Sequence, residues 1–398
     1  MALLFTEFDI EEEIVPVEKE SLYFPSEQAG CGIVILLVIK ILERMDPISP
    51  MLTKPDISDA NIIACLHDGF GLHISQVTFL PLGWVNSAAY HVIADGGIPY
   101  FLKLRQGYFN EVAVAVPAFL HAQGIRQVMA PIATTTQTLC VHAHGFDWIL
   151  YPYFDGQTGF QVPLSKAAWI ALGQSMQAVH AATLPVGLVE RVPQEDYSPV
   201  WRNIVTAYHQ RVQHDHYDDP TAASFAALWM TKRDEILRIV ERAEQLAQAL
   251  QDRAIRRVVC HADLHGNNVL VGSDDELTIV DWDAPILAPK ERDLMFIGGG
   301  VGGIWNNDQE AEWFYQGYGQ TEIDRVALAY YRYERIVEDI AEFSEQIFGM
   351  QGSVQDRQRG LRLIEQFAPN NVVEIAHGSY QQLSDSAFGS SFLAEGLA

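Results

Sequence analysis

The sequence predicts an α+β fold with two lobes, a small lobe built on an antiparallel sheet and a larger lobe that is mainly helical. Segments rich in Val, Ile, Phe and Tyr, which favour strands, cluster before about residue 155, whereas helical periodicity dominates after it. The 398 residues are 48% hydrophobic, which supplies a large core and excludes a disordered chain. No repeat of solenoid length is visible, so this order of elements indicates an α+β chain.

The elements of the small lobe can be predicted in chain order. Ile62, Ile63 and Leu66 lie on one side of a predicted helix over residues 60–67. Alternating and β-branched patterns predict strands over 75–82, 88–94, 98–104, 138–143 and 147–151. Asp95-Gly96-Gly97 joins the second and third strands as a hairpin, and a helix over 111–123 follows them.

The larger lobe is predicted to consist mostly of helices. Helical patterns occur over 167–182, 198–212, 222–250, 291–297, 309–316 and 325–348. We therefore divide the chain into an N-terminal extension over 1–50, an N-lobe over 51–154 that binds the nucleotide, and a C-lobe over 155–398.

Charge and cysteine content restrict the classes of partner. The chain has 26 Lys and Arg against 51 Asp and Glu, a formal net charge of −25. Such a chain repels phosphate backbones and attracts cations, so we expect no nucleic acid, although acidity also serves plain solubility. The four cysteines form no C-x-x-C pair, which is typical of a reducing compartment and predicts a cytoplasmic protein. Nothing in the sequence indicates an obligate protein partner.

Residues 1–50 carry an apolar run that is too short to span a membrane. The run over 30–39 has about half of the roughly 20 residues that a spanning helix needs, and acidic rather than basic residues precede it. We therefore expect neither a membrane span nor a secretion signal. The hypothesis is an appendage of uncertain order, and the alternative is a strand or helix packed on the main body.

The most informative segment covers residues 258–283, VVCHADLHGNNVLVGSDDELTIVDWD. A hairpin over 269–280 places Asn268, just before its first strand, beside Asp281, just after its second. Asp263 precedes Asn268 by five residues, so the three groups converge at one end of the hairpin. An amide and a carboxylate oxygen suit Mg²⁺, and a second carboxylate can accept a proton from a hydroxyl. This layout favours phosphoryl transfer over the alternative, an Asx-rich turn between strands.

The motif H-x-D-x-x-x-x-N from His261 to Asn268, followed by I-V-D-W-D over 279–283, resembles the aminoglycoside phosphotransferase family. Residues 281–301 and 330–340 are most similar to its spectinomycin-modifying members. The resemblance covers residues 51 to about 375 and differs in Gly266, where the family has Pro. It implies a protein-kinase-like fold and ATP-dependent phosphorylation of an aminoglycoside or aminocyclitol hydroxyl, with spectinomycin first. The alternatives are a choline, sugar or amino-alcohol kinase, or a nucleotide-binding scaffold without activity.

A site of this kind needs a Lys on a central strand and an acidic partner for it. Lys103 lies in an apolar strand, and Glu111 is the one acidic residue between it and Asp147, so the two are predicted to pair. The alternative is a Lys that extends from a strand edge into water. The turn after the first strand supplies Gly83, Asn86 and Ser87 for the ATP phosphates. The resemblance further implies that Tyr151, Tyr153 and Phe154 meet the adenine.

Two other patterns are rejected as functional sites. Gly298, Gly300 and Gly303 match G-x-G-x-x-G, but no predicted strand precedes them, so we expect a loop rather than a dinucleotide site. His261 and His265 lack the further ligands of a zinc site, and the resemblance implies a structural role for such a His in the catalytic loop.

The side that binds the substrate is predicted from acidic residues of the larger lobe. Glu334, Glu338 and Glu342 are spaced four apart on a predicted helix, with Asp339 beside them. We predict that Glu338 and Asp339, with Asp283 and Trp305, receive a cationic small molecule. A solvated helix face remains the default alternative. Asp293 can bind substrate or, more commonly for its position, cap a helix.

Overall fold

The computed structural model describes residues 54–82, 87–107, 109–300, 304–365 and 372–384. The predicted extension over 1–50, Gly83 and Asn86 lie outside the described residues.

The small lobe contains a five-stranded antiparallel sheet. Its strands, in the spatial order β1-β2-β3-β5-β4, are β1 (Ile74–Leu80), β2 (Ser87–Ala94), β3 (Ile98–Arg105), β4 (Val141–Ala143) and β5 (Phe146–Pro152). Helix α1 (Asp59–Phe70) begins with Ser58, whose hydroxyl accepts from the Asn61 amide, and ends at Gly71 with φ of 70°. Helix α2 (Val112–Ala122) follows β3.

Strand register decides which side chains of the sheet face the second lobe. Lys103 pairs with Ala89 on β2 and with Ile149 on β5, and Phe101 pairs with Tyr151. Side chains alternate along a strand, so Lys103 and Tyr151 share one face of the sheet. Leu102 and Leu104 point to the other face and join the fully buried core of the small lobe.

The larger lobe is mainly helical. Its helices are α3 (Lys166–Ala181), α4 (Val186–Val189), α5 (Val200–His214), α6 (Pro220–Gln251), α7 (Glu291–Leu294), α8 (Asp308–Tyr318), α9 (Arg325–Phe348), α10 (Val354–Glu365) and α11 (Val372–Ser384). Helix α9 packs against α5, α6, α10 and α11 and contributes many of the buried aromatic and aliphatic side chains. It therefore forms the centre of this lobe.

Two small antiparallel sheets carry the catalytic segment. Strand β7 (Val258–Cys260) pairs with β10 (Ile286–Ala288). Strands β8 (Val269–Val271) and β9 (Leu277–Ile279) form the predicted hairpin, and β6 (Gln157–Thr158) pairs with β8. Met129 donates its amide to the Ile279 carbonyl at 2.9 Å, which ties the hairpin to the chain that leaves α2.

The predicted fold class is confirmed, with a small antiparallel-sheet lobe and a larger helical lobe. The predicted helices and the first five strands differ from the prediction mainly at their ends, whereas α10 and α11 were not predicted. Short elements such as β6, α4 and β10 were not predicted, because two to four residues show no periodicity. Among the described residues, no helix is both long and apolar enough to cross a membrane.

Candidate active site

Asp263 lies on the loop that follows β7, at the junction of the two small sheets. His261 fixes this loop from inside: its Nδ1 accepts from the Asp263 amide at 3.2 Å and its Nε2 donates to the Val280 carbonyl at 2.8 Å. The buried imidazole also packs edge-on against Trp282, with ring centroids 4.6 Å apart. His261 therefore has a structural role here, joining the loop of Asp263 to the end of the hairpin.

Both carboxylate oxygens of Asp263 have partners. Arg335, on α9, donates from Nη1 to Oδ1 at 2.6 Å. The Nδ2 of Asn268 donates to Oδ2 at 3.2 Å, and the Nε2 of His265 lies 3.3 Å from the same oxygen. Burial by itself raises the pKa of Asp263, but the Arg335 cation and the His265 contact hold it well below the usual range. The carboxylate is therefore ionised and fixed in orientation.

Asp293 accepts hydrogen bonds from the backbone of the same loop. Its two oxygens accept from the amides of His261 at 2.9 Å and Ala262 at 2.7 Å, and Oδ2 also lies 3.0 Å from His180 Nε2. Ala262 has φ of 72°, a conformation costly for a residue with a side chain. The sequence left substrate binding open as a role for Asp293. Asp293 has no solvent exposure, so it does not bind substrate, and it instead stabilises a strained turn.

The small cluster around Asp293 is structural rather than a metal site. His180, Cys260 and Asp293 present ligand atoms within 4.8 Å of one another. However, the Tyr318 hydroxyl lies 2.7 Å from the Nδ1 of His180, and Asp293 lies on its Nε2. Cys260 is fully buried on β7, and burial raises the pKa of its thiol well above normal.

Asn268 and Asp281 lie at the same end of the β8–β9 hairpin. The Val280 amide donates to the Asn268 carbonyl at 2.9 Å, which continues the ladder to the residue before Asp281. Among the described residues, both hydrogen bonds of the Asn268 side chain come from its Nδ2, so neither of them occupies its amide oxygen. Asp281 has φ of 63°, another strained position of the kind that clusters at functional sites.

These two side chains fit a hard cation. An amide oxygen and an ionised carboxylate at adjacent positions are the ligand types that Mg²⁺ takes from proteins, with water and phosphate oxygens completing its shell. Although burial raises the pKa of Asp281, the neighbouring Lys103 ammonium lowers it below the usual value, so the carboxylate is available as an anion.

Lys103 reaches from the small lobe to two carboxylates of the larger lobe. Its Nζ lies 2.6 Å from Asp281 Oδ1 and 2.8 Å from Asp283 Oδ2. Burial lowers the pKa of this ammonium, but the two carboxylates together raise it well above normal. Lys103 is therefore a largely buried cation beside the proposed metal ligand Asp281.

The predicted ion pair between Lys103 and Glu111 is wrong. Glu111 precedes the first residue of α2, and its side chain is 67% exposed. Within the described ranges, its ionic contact is with Arg191 at 3.4 Å. Asp281 and Asp283 are distant from Lys103 in sequence, so proximity along the chain could not indicate them as its partners. These two approach from the other lobe and already satisfy the ammonium.

The described nucleotide residues of the prediction, Ser87, Tyr151, Tyr153 and Phe154, lie on or next to strands β2 and β5. Ser87 begins β2 and pairs with Arg105 on β3. Tyr151 lies on the face of Lys103, and Tyr153 packs against His91 with ring centroids 4.5 Å apart. Phe154 packs where the segment after β5 approaches Gly272.

The acidic residues of α9 are not a solvated face, so the default alternative is wrong. Glu334 is buried against Arg202, Glu338 Oε2 lies 3.2 Å from Arg292, and Asp339 Oδ1 lies 3.1 Å from Arg335. Burial, reinforced by Glu338, raises the pKa of Asp339 to about 6 despite Arg335. Burial and the neighbouring Glu338 raise that of Glu342 to about 7. Sequence reasoning missed that arginines from other elements would reach this helix.

Two predicted substrate residues lie elsewhere. Asp283 binds Lys103 and Arg105, so it belongs to the charge cluster on the nucleotide side. Trp305 is 4% exposed and packs edge-on against Trp169 with centroids 4.9 Å apart, which makes it mainly a core residue. Its indole also borders a cavity of about 360 Å³, which Phe160 and Glu310 line with it.

Comparison with known proteins agrees with this geometry. Residues 76–328, more than half of the chain, match the family described as the phosphotransferase enzyme family. No curated protein matched the chain.

Among solved structures, spectinomycin phosphotransferase APH(9)-Ia is similar over most of the chain. Its complex with ADP and spectinomycin is 36% identical, with a TM-score of 0.76, and the match covers 82% of this chain and 100% of that one. Its AMP-bound complex is 37% identical, with a TM-score of 0.72 and coverage of 80% and 98%. The amicoumacin kinase hAmiN, at 14% identity, a TM-score of 0.54 and coverage of 80% and 95%, shares the fold.

The match over more than half of the sequence and the similarity at 36% identity lead to the same conclusion. The chain belongs to the phosphotransferase enzyme family.

Proposed function

We propose that this protein transfers the γ-phosphoryl group of ATP to a hydroxyl of a cationic aminocyclitol, with spectinomycin as the substrate to test first. The observation that carries the proposal is the meeting of Asp263, Asn268, Asp281 and Lys103 in one cleft between the lobes. The similarity at 36% identity to a spectinomycin phosphotransferase, over that protein's full length, supports the choice of substrate.

Asp263 is proposed as the catalytic residue. It would accept a hydrogen bond from the acceptor hydroxyl and aim its oxygen at the γ-phosphorus. It would take the proton as the new P–O bond forms and the bond from the γ-phosphorus to the bridging oxygen breaks, which releases ADP. A carboxylate with two oxygens has about four acceptor positions, so a hydroxyl can join the partners already present. The low basicity that Arg335 imposes favours an orienting role, because a loose transition state needs little proton abstraction early on.

Asn268 and Asp281 are proposed to hold Mg²⁺. When bound, the ion would neutralise charge on the nucleotide phosphates. The Asn268 oxygen and the ionised Asp281 carboxylate are the atoms that this chain supplies for it.

Lys103 is proposed to hold the ATP phosphates. Its ammonium already lies between two carboxylates at the cleft, and its high pKa keeps it charged at any working pH. Gly83, Asn86 and Ser87 are proposed to cover the phosphates. Tyr151, Tyr153 and Phe154 are proposed to line the adenine side. Use of ATP also leads us to propose a cytoplasmic location.

The cationic part of the substrate is proposed to bind near Glu338 and Asp339, with Glu342 one turn further along α9. These carboxyls lie on the Arg335 side of Asp263, so a hydroxyl at Asp263 and an ammonium at this stretch can belong to one small molecule. The net charge of −25 adds a general attraction for cations and a repulsion of nucleic acids.

The test is ADP release from Mg-ATP in the presence of a panel of acceptors, namely spectinomycin, other aminoglycosides, choline, ethanolamine and a neutral sugar. Spectinomycin is expected to stimulate release, and mass spectrometry is expected to detect a product heavier by one phosphoryl group. Asp263→Asn, assayed in parallel, controls for contaminating kinases. Stimulation by choline or a sugar alone would replace the proposed substrate, and no stimulation by any acceptor would favour a nucleotide-binding scaffold.

A further inference from the structure

Arg335 lies between the catalytic carboxylate and the acidic stretch of α9. Its Nη1 donates to Asp263 Oδ1 at 2.6 Å, and its Nη2 lies 3.1 Å from Asp339 Oδ1. Its Nε is buried and has no hydrogen-bond partner in the part of the chain that the structure describes. The guanidinium is thus committed to two carboxylates that come from different elements.

The two oxygens of Asp263 differ in their surroundings. Oδ2 faces Asn268 and His265, which belong to the catalytic loop itself. Oδ1 faces the cation of Arg335. An oxygen has two acceptor positions, so a neutral hydroxyl can share Oδ1 with the guanidinium. A second cation at this oxygen would instead be repelled by Arg335 at close range.

This difference matters for an enzyme whose substrate carries both hydroxyl and ammonium groups. A bare carboxylate binds an ammonium more strongly than a hydroxyl, because the hydrogen bond is reinforced by charge. An uncovered Asp263 would therefore hold the substrate by the wrong group. The acidic stretch offers another target in Glu342, which has no ion pair among the described residues, whereas Asp339 lies 3.1 Å from the same Arg335.

We propose that Arg335 is a positioning residue that reserves Asp263 for the substrate hydroxyl by cancelling its charge, and that it thereby directs ammonium groups to the uncovered Glu342. The inference rests on the proposed function in one respect, namely that the substrate is a cation. It adds a determinant of which group of the substrate reaches the catalytic carboxylate.

A binding experiment tests the inference without catalysis. We would measure the affinity for doubly protonated 1,3-diaminopropane by calorimetry, with the full chain and its variants. Arg335→Gln is expected to bind the diammonium at least about tenfold more tightly than the parent, or about 1.4 kcal/mol. Adding Asp263→Asn should remove that gain, and Arg335→Lys, which keeps the charge, should bind like the parent. Arg325→Gln, an exposed site on the same helix, controls for loss of one positive charge.

Three results would overturn the inference. Arg335→Gln could bind the diammonium no more tightly than the parent, the gain in affinity could persist when Asp263→Asn is added, or Arg335→Lys could gain as much affinity as Arg335→Gln. Because Arg335 is part of a packed helix, Asp263→Asn alone provides a test that does not need the Arg335 variants to fold. With Asp263 already covered, this variant should change diammonium affinity less than about twofold. A tenfold loss would show that Asp263 itself holds the ammonium.

Kinetics separate positioning from a structural role. With spectinomycin, Arg335→Gln is expected to lower kcat at least about tenfold without raising the KM for spectinomycin or for ATP, and Lys should restore much of kcat. A higher KM with unchanged kcat would contradict the inference. If the parent does not phosphorylate spectinomycin while the diammonium results hold, the proposed substrate fails and the role of Arg335 stands.

Discussion

Lys103 of the small lobe and Asp281 of the larger lobe form an ion pair with a distance of 2.6 Å from Nζ to Oδ1, although 178 residues separate them in sequence. The pair joins the two lobes across the cleft. It brings together the cation proposed to hold the ATP phosphates and a carboxylate proposed to hold Mg²⁺. Asp283 extends this arrangement, because it contacts both Lys103 and Arg105.

Lys103→Ala is expected to raise the KM for ATP by about tenfold or more, because a buried charge in contact with the phosphates is worth at least about 1.4 kcal/mol. Glu111→Ala is the matched control. Glu111 is exposed and only 3.4 Å from Arg191, so its loss should change the KM for ATP less than about twofold. Initial rates at varied ATP concentration measure the KM of both variants. An equal rise in the KM for ATP would contradict this assignment and support a Lys103–Glu111 pair.

Asp281→Asn is expected to raise the Mg²⁺ concentration needed for half-maximal activity by at least about tenfold, since a neutral amide is a poorer ligand for a hard dication. A Mg²⁺ titration at saturating ATP measures this. Asp283→Asn serves as the control, because Asp283 contacts the same Lys103 but is not proposed to bind the metal. A similar shift in both variants would count against the metal assignment.

Asp263→Asn is expected to lower kcat by about 10² to 10⁴ while ATP affinity stays within about twofold. The amide keeps the shape of the side chain but loses the charge that orients and accepts from the hydroxyl. Turnover and ATP binding should be measured on one preparation. A loss in kcat below about tenfold with normal ATP binding would rule out Asp263 as the catalytic residue.

Asp293→Asn is expected to lower the free energy of unfolding by about 2 to 4 kcal/mol, because its amide nitrogen would face backbone donors in a fully buried site. Urea unfolding followed by circular dichroism measures this. Asp274→Asn, in the exposed hairpin turn, should stay within about 0.5 kcal/mol of the parent. If the Asp293 variant were as stable as the Asp274 variant, the hydrogen bonds from the loop amides to Asp293 would not be needed for stability.

The affinity for a cation should rise with pH. Burial raises the pKa of Asp339 to about 6 and that of Glu342 to about 7, so these carboxyls are neutral below those values and anionic above them. A bound cation favours the anionic form, and binding should therefore strengthen as pH increases through this range. A quaternary diammonium, whose own charge does not titrate, is the suitable probe. Replacing Asp339 by Asn and Glu342 by Gln should flatten the dependence of cation affinity on pH. An equal or steeper dependence in this variant would contradict the assignment.

The catalytic hairpin could be predicted because its information is local. A register of two short strands fixes Asn268 beside Asp281, and five residues of loop fix Asp263 near them. The β2–β3 and β4–β5 hairpins of the small lobe were predictable for the same reason, since short connections join their strands, whereas β3 and β5 pair across the intervening helix α2.

Only the tertiary structure decided the partners of the charged residues. Arg335 contacts Asp263, which is 72 residues away in sequence. Lys103 pairs with Asp281 and Asp283 rather than with Glu111, which is nearer in sequence. The sequence determined which elements form and which groups carry the chemistry, because propensity and register act over a few residues. Ion pairing depends on distance in space and on burial, so packing of the two lobes selected each partner.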